Sequence, residues 1–284
     1  MKICRFDNDQ LGIVEGDRVY EVTKATNVLP DLRWPLATGD AFFANYATIT
    51  EEMMRLRDMA AAQNIADVCL LSPVANPGKI IGAPVNYLLH QAESNADAEI
   101  TFGMPVKTVA DLGLFLKAGS ALVGAGQGIV SDRDDKRTDH EIELAVIIGT
   151  GGRHIAEADA LAHVAGYSIG LDMTIRGTED RSLRKSLDSF AVLGPCFVSA
   201  DEIANPDDLD LELRVNGEAR QKSNTSALIY GVARLIAYAS EHYTLHPGDV
   251  IMTGTPEGVG PVTPGDRLDC RIEGIGEMTV EVRG

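Results

Sequence analysis

Glu141 and Glu143 stand two residues apart in the run Asp139-His140-Glu141-Ile142-Glu143-Leu144-Ala145-Val146-Ile147-Ile148-Gly149. Apolar and β-branched residues fill its second half and glycines end it, so it reads as a β-strand. Alternate side chains of a strand share a face. The two carboxylates therefore project together, with Cα atoms roughly 7 Å apart at ~3.3 Å of rise per residue. Like charges ~4 Å apart repel by about 1 kcal/mol in water and about 4 kcal/mol at an effective dielectric of ~20. A divalent cation is the usual remedy, although a bare E-x-E is more often a solvated strand face. A second strand, Tyr167 to Thr174, places Ser168, Gly170 and Asp172 opposite Ile169 and Leu171 and offers a third carboxylate at its end.

His90 and Glu93 are three residues apart, a spacing that lets two side chains meet on one side of a helical turn. A carboxylate beside an imidazole selects its tautomer and raises its basicity, which suits a general base. An isolated H-x-x-E is more often a surface pair. His140, His154, His163, His242 and His246 read as structural or surface groups, with His140 on the opposite strand face from Glu141.

These side chains sit in a chain of 284 residues, enough for one large domain or two small ones. Lys and Arg total 25 against 42 Asp and Glu, a formal charge of −17. That balance argues against nucleic acid and anionic membrane surfaces, which attract basic patches. A small anionic substrate would need a local positive centre. Cys4, Cys69, Cys196 and Cys270 form no C-x-x-C pair, so neither a zinc site nor a disulfide framework is suggested. Scattered thiols and no apolar leader suit a reducing cytoplasm, and no apolar run approaches the ~18 residues of a membrane span.

The elements that must position the site follow from periodicity and turn residues. Residues 1–70 read as a small α+β unit, with a hairpin turning at Glu15-Gly16-Asp17 and a helix over Thr50 to Gln63 whose Met53, Met54, Leu56 and Met59 are apolar positions. The Pro/Gly-rich stretch 71–78 reads as a linker. From 79 to 284, short apolar runs alternate with Gly and Pro. Lys79–Ala83, Leu114–Lys117, Glu141–Ile148, Ala165–Thr174, Leu209–Val215, Val250–Thr253, Arg267–Ile272 and Met278–Val282 are strand-like. Helices are expected over Glu157–Ala165 and Thr225–His242, and Asn216-Gly217 marks a hairpin. The sum is an α+β protein with a mostly β core and peripheral helices. The glycine-rich runs 124–128 and 149–152 lack the strand-to-helix setting of a dinucleotide fingerprint, and Gly254 to Gly260 lacks the Gly-Lys-Ser/Thr of a phosphate loop.

Read in order, the pieces form a pattern: Asn86-Tyr87 leading to His90 and Glu93, then Phe115-Leu116-Lys117, the Glu141/Glu143 strand, Asp172 with Arg176, then Lys185, Asn216-Gly217, and Thr253-Gly254-Thr255-Pro256-Glu257-Gly258-Val259-Gly260. Over about residues 75–284 this resembles the fumarylacetoacetate hydrolase (FAH) family. The resemblance implies a mixed β-sandwich roll with a divalent cation, Mg²⁺ with Mn²⁺ or Ca²⁺ as alternatives, on Glu141, Glu143 and Asp172. It implies His90 and Glu93 as the base pair, Lys185 and Arg176 as oxyanion stabilisers, and Lys117, Tyr87, Gly254 and Thr255 as substrate contacts. It further implies a homodimer acting on a small anionic 2-oxo acid.

The chemistry so implied is cleavage beside a pyruvyl group. His90 activates a water that attacks the distal carbonyl of a 2,4-dioxo acid, and the carbon–carbon bond breaks to give a pyruvate enolate and a carboxylic acid. Isomerisation or decarboxylation of a related 2-oxo diacid uses a similar intermediate, and a non-catalytic binder is the rival from another class. The chain departs from the family pattern after Asp172. Lys185 follows by only 13 positions, and Glu179 stands where Gln is usual, so an oxyanion role is not carried to it. Residues 176–181 are expected to form their own salt-linked turn, and the long segment Ser94 to Gly113 to supply cover for the site.

Overall fold

The computed structural model describes residues 1–284 except Leu32, Phe102, Arg133 and Asp134. Its centre is Ile142–Ile148, a strand buried along its whole length. A strand covered on both faces must be apolar on both, and alternation sends its residues to two different cores. Ile142, Leu144, Val146 and Ile148 join one cluster with Ile169 and Leu171, while Ala145 and Ile147 join a second with Phe43, Ile49 and Phe197. Glu141 and Glu143 thus belong to a strand too deeply placed for the solvated-face reading: they are 5% and 2% exposed.

Among the described residues the main sheet has twelve strands. Ile142–Ile148 lies between Val164–Asp172 and Val250–Met252, both antiparallel to it. Beyond Val250–Met252 come Ile80–Gly82, parallel, and Phe115–Lys117 at the edge. On the other side Val164–Asp172 pairs with Ala191–Ser199, which pairs in turn with Lys2–Phe6. The hairpin Gln10–Glu15/Arg18–Glu21 and Ala62–Asn64 continue outward, so strands of residues 1–70 extend the same sheet. A five-stranded sheet containing Asp210–Val215, Glu218–Asn224, Arg267–Ile272 and Gly276–Arg283 and a three-stranded one built on Thr138–His140 complete the β structure. No helix is long and apolar enough to cross a membrane.

Several sequence expectations need correction. The first long helix is Tyr46–Arg57, and Ala62–Asn64 pairs with Arg18–Tyr20 instead of continuing it. Tertiary pairing overrides local helix propensity there. Met53 is buried, but Met54 and Met59 are exposed. Glu157–His163 is a 3₁₀ segment that gives way to strand at Val164. The expected helix from Thr225 begins only at Val232. The cause is Asn86, fully buried, whose carbonyl accepts from the Ile229 amide at 2.8 Å and whose side-chain oxygen accepts from the Tyr230 amide at 2.8 Å. Donors committed sideways to Asn86 cannot serve a helix.

The strand Ala191–Ser199 is absent from the sequence reading because Gly194-Pro195 looks like a break. The ladder absorbs it with a register shift: Tyr167 faces Val198, but Ile169 faces Gly194. The Ser168 hydroxyl lies 3.1 and 3.0 Å from the Gly194 and Cys196 carbonyls and donates where ladder bonds are interrupted.

Asn86 also donates to the carbonyls of Tyr230 and Thr253 at 2.9 and 2.8 Å. Truncation leaves several buried backbone groups without partners. Asn86→Ala is expected to lower stability by roughly 2–4 kcal/mol, read as a fall in urea midpoint at unchanged m-value.

Candidate active site

The register of the central hairpin assembles the acidic cluster. Ile142 faces Leu171 and Glu143 faces Gly170, which sets Glu141 directly across from Asp172; the Asp172 amide donates to the Glu141 carbonyl at 2.9 Å. One carboxylate oxygen from each of Glu141, Glu143 and Asp172 lies within 4.8 Å of the others, and all three residues are buried.

Three buried negative charges this close need compensation. Lys185 Nζ donates to Glu141 at 2.7 Å, Asp172 at 2.6 Å and the Thr174 hydroxyl at 2.7 Å. Lys117 Nζ donates to the other Asp172 oxygen. Arg176 bridges Glu141 and Asp139 at 2.9 and 2.8 Å. Burial alone would raise the Glu141 pKa, but Lys185 and Arg176 outweigh it and hold the carboxyl below the usual range. Glu143 differs. Among the described residues no cation pairs with it, and it accepts only the Gly254 amide at 2.7 Å. Burial, then the charges of Asp172 and Glu141, push its pKa well above the ordinary value. A site with three hard oxygen donors and one uncompensated carboxylate fits a divalent cation.

His90 faces the same site. Its Nδ1 lies 3.4 Å from Glu93, and Glu93 accepts the Gly258 amide at 2.9 and 3.0 Å. Burial would raise the Glu93 pKa, but the His90 and Gly258 bonds more than offset it and keep the carboxylate ionised. With Nδ1 turned to Glu93, Nε2 is the nitrogen left for the cavity that His90 lines.

The loop from Thr253 to Gly260 therefore supports two carboxylates of the candidate site by backbone donors, Glu143 from Gly254 and Glu93 from Gly258. Both glycines have positive φ, +99° and +91°, and a Cβ on Gly258 would stand 1.9 Å from the Arg220 carbonyl oxygen. Thr255 is held as well. Its hydroxyl donates to the Ile142 carbonyl at 2.8 Å and accepts from Gln221 at 2.7 Å. Gln221 also accepts from the Ile142 amide and bonds His140 Nδ1 at 3.0 Å. His140, buried, braces this network, and burial lowers its pKa, so it stays neutral. A Gln at 221, in a polar strand far along the chain, carries no local signal of this role.

A cavity of about 370 Å³ opens onto the carboxylates. His90, Glu141, Glu143, Asp172, Arg176, Lys185 and Thr255 line it, whereas Lys117, Tyr87 and Gly254 do not. Lys117 is buried behind Asp172, and Tyr87 is 1% exposed with a hydroxyl lacking any partner. Ser94, Ile100, Thr101, Met104 and Leu112 contribute to the wall, so the segment 94–113 does cover the site. Arg137 fastens it, donating to Asp97 and Glu99 at 2.9 Å each and to Asp139 at 2.7 and 3.0 Å. The expected salt-linked turn at 176–181 is not self-contained. Glu179 pairs with Lys136 at 2.6 Å, and Arg176 turns toward Asp139 and Glu141. Sequence reasoning also missed Arg181 and Arg184, which line the cavity from the short helix Arg181–Lys185.

Residues 79–283 match the family described as fumarylacetoacetate (FAA) hydrolase C-terminal. The chain belongs to the fumarylacetoacetate hydrolase family. It is 51% identical to a maleylpyruvate hydrolase of Aquipseudomonas alcaligenes, covering 100% of this chain and 99% of that protein. It is 38% identical to the mitochondrial oxaloacetate tautomerase FAHD2A of Homo sapiens over 76% of this chain and 70% of that one. The crystal structure of maleylpyruvate hydrolase from Sphingobium sp. SYK-6 in complex with manganese(II) and pyruvate superposes with a TM-score of 0.84 at 37% identity, covering 100% and 99% of the two chains.

Glu143→Ala is expected to weaken Mn²⁺ binding by at least about 100-fold in calorimetry; unchanged affinity would place the ion elsewhere. Arg137→Ala is expected to speed amide exchange across residues 97–101 by about tenfold with the central sheet unaffected.

Proposed function

We propose that this protein is a divalent-metal-dependent hydrolase that cleaves a 2,4-dioxo acid of the maleylpyruvate type to pyruvate and a carboxylic acid. The observation that carries the reading is His90, oriented by Glu93, lining the same cavity as the buried triad Glu141, Glu143 and Asp172. A binder of an anion and a cation has no use for an oriented imidazole. Full-length identity of 51% to a maleylpyruvate hydrolase supports the substrate class.

Glu141, Glu143 and Asp172 would hold a divalent cation, Mg²⁺ or Mn²⁺, which would supply Lewis-acid polarisation of the substrate's oxygens. His90 Nε2 removes a proton from water, and the hydroxide adds to the distal carbonyl of the substrate. Lys185 and Arg176 supply positive charge where that oxygen becomes negative. When the tetrahedral carbon collapses, the bond to the neighbouring carbon breaks. Its electron pair leaves with the pyruvyl fragment, spread onto the 2-oxo oxygen, and a proton returned to carbon completes pyruvate. The cover keeps bulk water from this step.

Purified protein with Mg²⁺ or Mn²⁺ is expected to release pyruvate and acid in equal amounts from a maleylpyruvate-type substrate. Release of CO₂, or chromophore loss without fragments, would contradict hydrolysis. His90→Ala is expected to lower kcat by about 10²–10⁴-fold while Mn²⁺ binding persists, and chelation is expected to abolish turnover of the wild type.

A further inference from the structure

The cavity carries more positive charge than the acidic cluster uses. Its carboxylates are Glu141, Glu143 and Asp172, and Arg176 and Lys185 are bonded to them. Arg181 and Arg184 line the same cavity, three residues apart on the helix Arg181–Lys185. Among the described residues Arg181 forms no ion pair or hydrogen bond, and its guanidinium lies 5.6 Å from the centre of the Phe115 ring. Arg184 donates Nε to the Glu179 carbonyl at 2.9 Å and, among the described residues, pairs with no carboxylate. Both are partly buried. Burial lowers both guanidinium pKa values by more than the nearby carboxylates, Glu141 among them, raise them, and the like charges of Arg181 and Arg176 lower that of Arg184 further.

Other arginines without a carboxylate partner among the described residues, such as Arg18, Arg153 and Arg234, are exposed, whereas Arg181 and Arg184 are partly buried in a chain with a net charge of −17. Elsewhere Arg55, Arg57, Arg214 and Arg267 each pair with a carboxylate at the surface. Glu141 and Asp172 act on Arg181 only at a distance, and two neighbouring, partly buried cations with no carboxylate in contact are costly, so the anion that would complete them is one that a ligand brings. The proposed function seats the 2-oxo acid head at Glu141, Glu143 and Asp172, beside Lys185 and Arg176. The completing anion belongs at the other end of the substrate.

We propose that Arg181 and Arg184 are the receptor for the carboxylate that a maleylpyruvate-type substrate carries on its acyl end, and are the residues that make the enzyme prefer such diacids over monoacids with the same head. This rests on the hydrolase reading for its substrate head and assigns the residues that choose the tail. Arg181 and Lys185 are one helical turn apart, roughly 6 Å along the axis. Lys185 touches Glu141 and Asp172, so the tail carboxylate is reached within about one turn of the reacting end. The wall from Met104 and Phe115 packs the few carbons between.

The test uses Mn²⁺-loaded protein and two uncleaved ligands with the same head, 2-oxoadipate and 2-oxohexanoate, titrated by calorimetry. Wild type is expected to bind the diacid at least about 30-fold more tightly, as charge-assisted bonds to arginine allow. Arg181→Gln and Arg184→Gln, singly and together, are expected to erase that preference, with the monoacid's affinity changing less than about threefold. Arg181→Lys is expected to restore part of it, since a point charge lacks the bidentate fork. Equal affinity of wild type for the two ligands would overturn the proposal, whatever the variants do. So would an equal loss of both ligands in folded variants, which would place the arginines on the head. Pyruvate release is read separately: a diacid preference without cleavage overturns the hydrolase reading and leaves the receptor standing.

Discussion

Everything in this molecule answers to three carboxylates held below the surface by one strand register. Glu141 stands across from Asp172 because Ile142 faces Leu171, and Glu143 follows on the same face by alternation. The surrounding sheet must be apolar to be buried, yet it ends in concentrated negative charge. Lys117, Lys185 and Arg176 are drawn in from three other elements to offset it. The cations do not match the anions one for one. Asp172 has two, Glu141 two and Glu143 none, and that imbalance is what distinguishes an ion-binding site from a closed salt-bridge cluster.

Around this centre two supports work at different ranges. The Thr253 to Gly260 loop acts at contact distance, holding Glu143 and Glu93 by backbone amides and the Thr255 hydroxyl against Ile142. Arg137 acts across a longer path, tying Asp97 and Glu99 of the cover to Asp139, which also holds Arg176 and through it Glu141. The first support fixes the chemistry; the second connects the cover to it.

The triad was legible in the sequence because a strand has a period of two and Glu141, Glu143 and Asp172 obey it. His90 with Glu93 was legible from a helical spacing. What escaped were features decided by distant partners. Ala191–Ser199 is hidden by Gly194-Pro195, since only the facing Ser168 hydroxyl makes the interruption tolerable. The start of the Val232 helix is set by Asn86, more than a hundred residues upstream. Tyr87 and Gly254 took substrate roles from family likeness, but one is sealed in the interior and the other's amide is committed to Glu143. Arg181 was passed over because local charge patterning suggested a turn closed on itself, and Arg184 lay just beyond that turn.

The helix Arg181–Lys185 deserves a last consequence. Its final residue neutralises Glu141 and Asp172, and Arg181 and Arg184 line the open cavity. Adding or deleting one residue within it would swing Lys185 by roughly 100° about the helix axis and strip two carboxylates of their counter-charge. In this chain the helix can therefore accept exchanged side chains more readily than a change of length. Its tolerance to indels should be far below that of an ordinary surface connection, although it lies outside the sheet.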